Sequence, residues 1–251
     1  MREGSRLGRW LVEGCRAIDA LVFPWECALC GGDAADSPFC DVCKGELASE
    51  PGTSCWRCAM PLGPFGSQEK GCWECRGRSL GYDAAIALGL YDGPAGKLCR
   101  RLKQERDAWL APWLVDALVD ARRELQEIPK DAWVVSIPLH WRRRWKRGYN
   151  QADALAESLA KSLSLRRVHP LKRSLATPPL KKSGRAERAK LMRNAFRIKS
   201  RAALALKGRT VLLVDDILTT GATCGAAARA LKRAGAKRVV VVVIARAEGK
   251  V

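Results

Sequence analysis

The chain has 251 residues, and its 45 Lys and Arg against 26 Asp and Glu give a formal net charge of +19. Hydrophobic residues make up 47% of the chain, which excludes a disordered protein and leaves enough apolar surface for one large domain or two smaller ones. No apolar run approaches the roughly 20 residues of a membrane span, and the N-terminus lacks a signal-peptide pattern, so we expect a soluble, cytoplasmic protein.

Charge and cysteine are distributed unevenly. Residues 1–81 carry 9 basic and 11 acidic side chains, whereas residues 142–209 carry 21 basic and 3 acidic ones, a net of +18. Nine of the eleven cysteines precede residue 76. These two composition regimes predict an N-terminal segment at 1–24, a cysteine-rich domain at 25–80 and a basic domain at 82–251.

The segment 1–24 has apolar residues at helical spacing and ends at Phe23-Pro24. This pattern predicts a short amphipathic helix that packs on the rest of the protein, with a membrane or partner contact as the alternative. Its apolar positions are Leu7, Trp10, Leu11, Cys15, Ile18, Leu21 and Val22.

Four C-x-x-C pairs follow, and each pair suits one half of a tetrahedral zinc site. The simplest grouping is sequential and gives two structural sites of four thiolates each, although spacing alone leaves a cross-braced pairing open. Disulfides would need an oxidising compartment, and a redox C-x-x-C would normally occur once. The predicted zinc ligands are Cys27, Cys30, Cys40 and Cys43 in one site and Cys55, Cys58, Cys72 and Cys75 in the other.

From residue 82 onward, strand-like and helix-like patterns alternate, which predicts an α/β domain with a mostly parallel sheet and flanking helices. Ligands of such sheets bind beyond the carboxyl ends of the strands. The predicted strands are Ala84–Tyr91, Ala132–Ile137, Val211–Val214 and Val239–Ala245, and the predicted helices between them are Gln151–Leu163 and Ala222–Ala234.

The second strand leads into Pro138-Leu139 and then into a strongly basic segment that ends in Gly-Tyr-Asn-Gln at 148–151. Five basic residues within six positions beyond a strand end predict a site for a polyanion, and pyrophosphate fits best because Arg offers forked donors and Lys a point charge. The basic residues are Arg142, Arg143, Arg144, Lys146 and Arg147.

The third strand leads into a pair of acids and a loop rich in threonine and glycine that precedes a helix. Carboxylates accept hydrogen bonds from vicinal hydroxyls, and the loop offers hydroxyls and N–H groups to a phosphate at the positive end of the helix. This junction therefore predicts a binding site for a phosphorylated sugar. Its residues are Asp215, Asp216, Thr219, Thr220, Gly221, Ala222 and Thr223.

This junction resembles the phosphoribosyl pyrophosphate (PRPP) motif of type I phosphoribosyltransferases. With the cysteine pairs and the Pro-Leu-His-x-x-Arg-x-x-x-Arg-Gly-Tyr-Asn-Gln segment, the whole chain is similar to the ComF family, which combines a double zinc ribbon with a phosphoribosyltransferase-like domain. The resemblance implies a role in natural competence and the import of single-stranded DNA, while one branch of the family is associated with gluconate utilisation.

The resemblance also implies roles for individual residues. Asp215 and Asp216 would hold the ribose hydroxyls, the loop from Thr219 to Thr223 would hold the 5′-phosphate, and Pro138 and Leu139 would border the ligand. Lys103, Arg143 and Arg147 would act on the pyrophosphate together with Mg²⁺.

The sequence departs from the family pattern in the segment 172–188, where the fold carries a flap over the site. Leu180, Ser183 and Leu191 replace the Gln, Leu and Asn of the family. Thr219 lies where purine-salvage relatives have an acid, which argues against 6-oxopurine salvage.

Three functions follow from the sequence. In the first hypothesis the protein transfers a phosphoribosyl group to a nitrogenous acceptor, and in the second it binds PRPP as a sensor without turnover. In the third it contacts single-stranded DNA and DNA-import proteins, as a cytoplasmic protein peripheral to the DNA-import machinery. The third hypothesis depends on the surplus positive charge and on stacking side chains. Its candidate residues are Arg142, Arg144, Trp145 and Lys146.

Overall fold

A computed structural model describes residues 25–48, 54–62, 71–139, 145, 148–173 and 195–248, with only the backbone of Trp25, Ala48 and Arg201. The chain forms two compact units, residues 1–46 and residues 47–251. In the described part of the chain, none of the helices combines the length and the apolar character needed to cross a membrane. The predicted helix at 1–24 lies outside the described residues.

The smaller unit contains a short antiparallel pair of strands, β1 (Trp25–Glu26) and β2 (Asp33–Ala34). The helix α1 begins within it at Asp41 and runs to Ala48. Cys27 and Cys30 lie in the turn between the two strands, Cys40 directly precedes α1, and Cys43 lies in its first turn.

The larger unit is built on a five-stranded sheet in which every neighbouring pair is parallel, in the order β3-β9-β8-β4-β5. The central strands are continuous aliphatic runs, as expected where both faces of a sheet are covered. The strands are β3 (Ala84–Leu90), β4 (Trp133–Ser136), β5 (Arg166–Val168), β8 (Thr210–Leu218) and β9 (Arg238–Arg246), and β6 (Leu171–Arg173) and β7 (Phe196–Ile198) pair antiparallel outside the sheet.

Helices cover both faces of this sheet because successive strand residues point to opposite sides. On one face of the sheet, Val211 and Leu213 belong to a hydrophobic cluster that includes residues of the helix Ala222–Arg233. On the other face, Val214 lines a small cavity together with residues of the helices Leu110–Ala121 and Gln151–Ser162. The helices of the larger unit are α2 (Pro94–Arg101), α3 (Leu110–Ala121), α4 (Gln151–Ser162), α5 (Ser200–Leu206) and α6 (Ala222–Arg233), with short 3₁₀ turns at Glu105–Asp107 and Arg123–Leu125.

The predicted fold class is confirmed: a mostly parallel α/β sheet with flanking helices follows the N-terminal cysteine groups. The prediction that the third strand stops at Val214 is wrong. Strand β8 continues to Leu218, because Asp215 pairs with Val243 and Ile217 with Ala245 of the neighbouring β9. The two acids therefore lie within a strand and not in a loop after it, which fixes their backbone by sheet hydrogen bonds.

The boundary between the two compact units falls between the two cysteine groups. The predicted domain limits, 25–80 and 82–251, remain predictions. The second cysteine group, residues 55–75, lies in the same compact unit as the α/β sheet. Its four cysteines belong to the apolar cluster that also contains Leu80, Tyr82 and side chains of β3 and α6. This cysteine group is thus part of the core of the larger unit.

Candidate functional site

The two acids lie side by side on β8, at the carboxyl edge of the sheet. Asp216 is buried and Asp215 is partly buried, and the backbone N–H of Asp216 donates a hydrogen bond to Asp215 Oδ1 at 2.9 Å. Burial and the neighbouring Asp216 carboxylate raise the pKa of Asp215 well above its usual range. A ligand that brings hydroxyl donors or a cation to this edge would relieve the cost of this crowded negative charge.

Gln151, in the first turn of α4, contacts the acid pair directly. Its Nε2 donates a hydrogen bond to Asp216 Oδ2 at 3.1 Å, and both side chains are buried. The neighbouring Asn150 donates from Nδ2 to the carbonyl of Ile137 at 3.1 Å, which ties the end of β4 to the start of α4. Among the described residues, the side-chain oxygens of both amides are buried without a hydrogen-bond partner. Since such acceptors are rarely left unpaired, they mark a place for donors from a ligand or from water.

The loop between β8 and α6 has the conformation that an anion-binding turn requires. Gly221 has a φ of +76°, which favours glycine, and α6 starts immediately after it. A β-carbon at Gly221 would lie 3.1 Å from the hydroxyl of Tyr82, a buried side chain beneath the loop. The loop thus rests on the core on one side and leads directly into the N-terminal turn of α6, the positive end of the helix dipole. Within this turn, the N–H of Ala222 donates to the Thr220 hydroxyl at 3.4 Å.

The segment at the end of α2 also reaches the acid pair. Cys99 is buried and its Sγ donates to the carbonyl oxygen of Asp216 at 3.4 Å. Burial and the Asp216 carboxylate raise the pKa of this thiol, and the nearby positive charge of Lys103 offsets part of the rise. Lys103, a predicted site residue, therefore lies close enough to Cys99 for its charge to act on that thiol.

The basic segment after β4 is described only in part. Pro138 and Leu139 follow β4 directly beside β8, since the N–H of Ile137 bonds to the carbonyl of Val214 at 2.9 Å. Trp145 is 89% exposed, and Tyr149 donates from its hydroxyl to the carbonyl of Gln104 at 3.1 Å. The predicted residues Arg142, Arg143, Arg144, Lys146 and Arg147 lie outside the described residues.

The β6–β7 hairpin contributes a cation that sequence reasoning did not single out. The guanidinium of Arg173 lies 5.6 Å from the centre of the Phe196 ring, opposite it across the hairpin. Its positive charge also offsets part of the rise in the pKa of Asp215. Residues 174–194, which join β6 to β7 and include most of the predicted flap, lie outside the described residues.

The cysteines gather in the sequential grouping and not in the cross-braced one. In each group of four, the Sγ atoms all lie within 4.8 Å of one another. The ten cysteines of the described part of the chain are free thiols. A tetrahedral site with Zn–S bonds of about 2.3 Å places its sulfurs about 3.8 Å apart. The first group has 3.8 Å between Cys30 and Cys40, and the second has 3.6 Å between Cys55 and Cys75, so both groups can bind zinc.

The environment of the second group lowers the pKa of Cys55 and raises the pKa of Cys58 and of Cys75. Burial raises the pKa of Cys55, but the backbone N–H groups of Cys72, Arg57 and Cys58 outweigh it and lower that pKa to about 7. The N–H of Cys72 lies 3.4 Å from Cys55 Sγ. Burial and the charge of Cys55 instead raise the pKa of Cys75 to about 11. Four sulfurs this close need a cation before all of them lose their protons, which is the chemistry of a closed zinc site.

Arg246, the last residue of β9, connects the second cysteine group to the loop after β8. It is only 3% exposed and donates from Nε to the carbonyl of Cys58 at 2.8 Å. The same guanidinium donates to the carbonyls of Leu218 at 3.0 Å and Thr219 at 2.7 Å. Sequence reasoning missed this residue, although an arginine at the end of an uninterrupted aliphatic strand was a visible signal.

Comparisons with known proteins agree with this architecture. A family profile described as "Phosphoribosyl transferase domain" matches residues 148–251. The chain is 29% identical to "Competence protein F" of Haemophilus influenzae over 232 residues, which cover 90% of this chain and 98% of that protein. It is 30% identical to "DNA utilization protein YhgH" of Salmonella typhi over 231 residues, 88% of this chain and 96% of that protein.

A solved structure, TT1426 from Thermus thermophilus, aligns with 56% of this chain and 73% of its own at 20% identity, with a TM-score of 0.30.

The parallel sheet, the acid pair and glycine loop at its carboxyl edge, and the matching profile define a phosphoribosyltransferase-like protein. Two cysteine groups that can bind zinc precede its acid pair. The chain belongs to the ComF family, which the full-length similarity to its members shows. The resemblance inferred from the motifs is therefore confirmed.

Proposed function

We propose that the protein binds PRPP, with Mg²⁺, at the carboxyl edge of its parallel sheet. The observation that carries this proposal is the juxtaposition of a crowded acid pair with a glycine turn at the start of α6. The acid pair accepts hydrogen bonds from vicinal hydroxyls, and the turn receives a phosphate. A pentose 5-phosphate carries both groups at the spacing of one sugar ring.

Each part of the site then has a task. Asp215 and Asp216 accept hydrogen bonds from the 2′- and 3′-hydroxyls of the ribose, and Gln151 holds the Asp216 carboxylate in place. The segment Thr219–Thr223 binds the 5′-phosphate, and Pro138 and Leu139 border the sugar. Mg²⁺, when bound with the ligand, neutralises pyrophosphate charge. Lys103, Arg143 and Arg147 contribute further positive charge to the pyrophosphate.

Two outcomes of PRPP binding remain as alternatives. In one, a nitrogenous acceptor displaces pyrophosphate from C1 of the ribose, so that the protein is a phosphoribosyltransferase. In the other, the protein senses PRPP without turnover. Pyrophosphate release in the presence of a panel of bases and amines separates the two, since only the enzyme releases it at a rate that depends on the acceptor.

The proposal is tested by calorimetric titration of PRPP with Mg²⁺ into the full chain and into Asp215→Asn/Asp216→Asn. Wild type should bind, and the double variant should lose at least about tenfold in affinity, because two charged hydrogen-bond acceptors are removed. The variant Asp116→Asn, at an exposed position on α3, is the matched control and should bind as wild type does. Equal binding by the double variant and wild type would refute the assignment.

A second function, contact with single-stranded DNA, is favoured by the exposure of Trp145 within the most basic part of the chain. Two relatives carry names that refer to competence and to DNA utilisation, and a base can stack on an exposed indole. We expect a labelled single-stranded oligonucleotide to bind at low salt and Trp145→Ala to weaken it by about fivefold or more. Unchanged affinity of Trp145→Ala would remove Trp145 from the interface.

The remaining assignments follow from the same proposal. Each cysteine group binds one structural zinc, the ribbon spans residues 25–80 and the phosphoribosyltransferase-like domain spans residues 82–251, after an amphipathic helix at 1–24. The protein acts in the cytoplasm, at the periphery of the DNA-import machinery. A zinc content near two per chain supports the metal assignment, and a content near zero contradicts it.

A further inference from the structure

The carbonyls at the start of the phosphate loop, here the segment from Leu218 to Gly221, are all held by arginines that also contact the second cysteine group. Arg246 accounts for the carbonyls of Leu218 and Thr219. Arg78 donates to the next carbonyl, that of Thr220, at 3.3 Å. Three consecutive peptide groups of the loop are therefore oriented from the same side.

Both arginines are fixed in turn by the second cysteine group. Glu74, between Cys72 and Cys75, is buried and lies 3.0 Å from Arg78 and 3.8 Å from Arg246, measured from Oε1. Arg78 also donates to the Glu74 carbonyl at 2.8 Å. With the Arg246 bond to the Cys58 carbonyl, both C-x-x-C turns of this group hold the arginines that hold the loop.

Because the peptide bond is planar, the hydrogen bonds that fix the loop carbonyls also fix the loop N–H groups, which a ligand would contact. In a trans peptide the carbonyl of one residue and the N–H of the next point in opposite directions. Arginines that fix the carbonyls of Leu218, Thr219 and Thr220 therefore fix the N–H groups of Thr219, Thr220 and Gly221. Those N–H groups therefore point away from Arg246 and Arg78 and are left for a phosphate to accept from.

We propose that the second cysteine group, when it holds its metal, is the support that sets the phosphate loop in its binding geometry, with Arg246 and Arg78 as positioning residues. The first cysteine group belongs to the other compact unit, 1–46, and the hydrogen bonds described above involve the second group alone. This inference rests on the proposed function, since it assigns a phosphate to the loop. Loss of metal from the second group lowers the affinity for the phosphorylated ligand, and loss from the first group does not.

The first arm of the test compares one cysteine from each group in the full chain, Cys72→Ser and Cys40→Ser. Each variant should retain about one zinc per chain, because each loses one of four thiolates from a single site. Titration with ribose 5-phosphate should then show a loss of about tenfold or more for Cys72→Ser and wild-type affinity for Cys40→Ser. Equal affinity of the two variants would overturn the inference.

The second arm leaves all the cysteines in place and decides the question if Cys72→Ser does not fold. Arg78→Met removes the donor to Thr220 and should weaken ribose 5-phosphate about three- to tenfold while two zinc per chain are retained. Its thermal midpoint should fall, because the buried Glu74 carboxylate loses its nearest cation, so the titration is run well below that midpoint. Arg78→Lys, which can still donate to that carbonyl, should restore part of the affinity. The matched control is Arg57→Met, since Arg57 donates to the carbonyls of Cys75 and Arg78 and not to the loop.

Failure of the inference and failure of the proposed function give different results. If Asp215→Asn/Asp216→Asn binds as wild type does, the site assignment itself is wrong. If that double variant loses affinity while Arg78→Met binds as well as Arg57→Met, the loop binds its ligand without support from the cysteine group, and only the inference is wrong.

Discussion

At the scale of single residues, the acid pair that is proposed to bind the ligand lowers the stability of the ligand-free fold. Burial and the Asp216 carboxylate raise the pKa of Asp215, and Arg173 offsets only part of the rise. A carboxyl whose pKa is higher in the folded than in the unfolded state stabilises the fold fully below its unfolded pKa, near 4. That contribution is lost as the pH rises through the folded pKa. Above the unfolded pKa, the ligand-free protein is therefore less stable than it would be with a neutral residue at position 215.

Asp215→Asn should accordingly raise the thermal midpoint of the ligand-free protein by about 2–4 °C at pH 8, as expected for a gain near 1 kcal/mol in a chain of this size. The gain should vanish near pH 4, where the wild-type carboxyl is protonated. Thermal unfolding followed by circular dichroism at several pH values measures both. Asp116→Asn, at an exposed position on α3, should show no such trend, and a pH-independent loss of stability in Asp215→Asn would contradict the argument.

Gln151 has a more local effect, since its amide holds one carboxylate oxygen of Asp216 at 3.1 Å. Gln151→Leu removes this hydrogen bond and should weaken ribose 5-phosphate about three- to tenfold. Gln151→Glu should weaken it more, because a second carboxylate then faces Asp216. Calorimetry measures both, with Gln126→Leu at an exposed position as the control. If Gln151→Leu binds as tightly as Gln126→Leu, the amide does not position the acid.

At the scale of elements, the phosphate loop depends on one glycine with a close neighbour. Gly221 and Gly208 have nearly the same positive φ, +76° and +77°, but a β-carbon meets the Tyr82 hydroxyl only at Gly221 and open space at Gly208. Both alanine variants should lose about 1–2 kcal/mol of stability from the left-handed conformation. Only Gly221→Ala should also lose affinity for ribose 5-phosphate, by about tenfold or more.

Denaturant unfolding and calorimetry measure the two effects of these glycine variants separately. A similar affinity in Gly221→Ala and Gly208→Ala would mean that the loop tolerates the extra methyl group and does not bind the phosphate closely.

The elements that sequence predicted are those with a strong local pattern. The aliphatic strands β8 and β9 and the helices α4 and α6 were predicted to within a few residues, apart from the extension of β8 through the acids. Helix α2 was not predicted, because its buried side is made mainly of small residues such as Ala95 and Cys99. The β6–β7 hairpin was not predicted either, because Leu171 pairs with Ile198, far along the chain.

In the candidate site, too, sequence predicted the residues that belong to local motifs and missed those with distant partners. The acid pair, the glycine loop and the cysteine groups were found because their residues are close in sequence. The support from Arg246 was not, because its partners at Cys58 and Leu218 are 188 and 28 residues away. Sequence therefore identifies the residues that would touch a ligand, and only the fold identifies those that position them.

At the scale of the whole molecule, the positive charge exceeds what one pyrophosphate requires. Residues 142–209 carry a net charge of +18, and a bound pyrophosphate needs only a few of those charges. The proposed contact with single-stranded DNA, which offers one charge per nucleotide, would use this surplus. Its binding would release counterions, so that the affinity falls as salt rises, with a logarithmic slope of about 0.7 for each phosphate contacted.

Removal of three contacts in Arg142→Ala/Arg143→Ala/Arg144→Ala should therefore reduce that slope by about 2. Fluorescence anisotropy of a labelled oligonucleotide between low and moderate salt measures it. The control Arg123→Ala/Lys130→Ala/Lys237→Ala removes the same charge at exposed positions elsewhere in the domain and should leave the slope unchanged. If both triple variants reduce the slope equally, the DNA responds to net charge alone. A smaller slope only in the first variant would mean that the single strand contacts Arg142, Arg143 and Arg144.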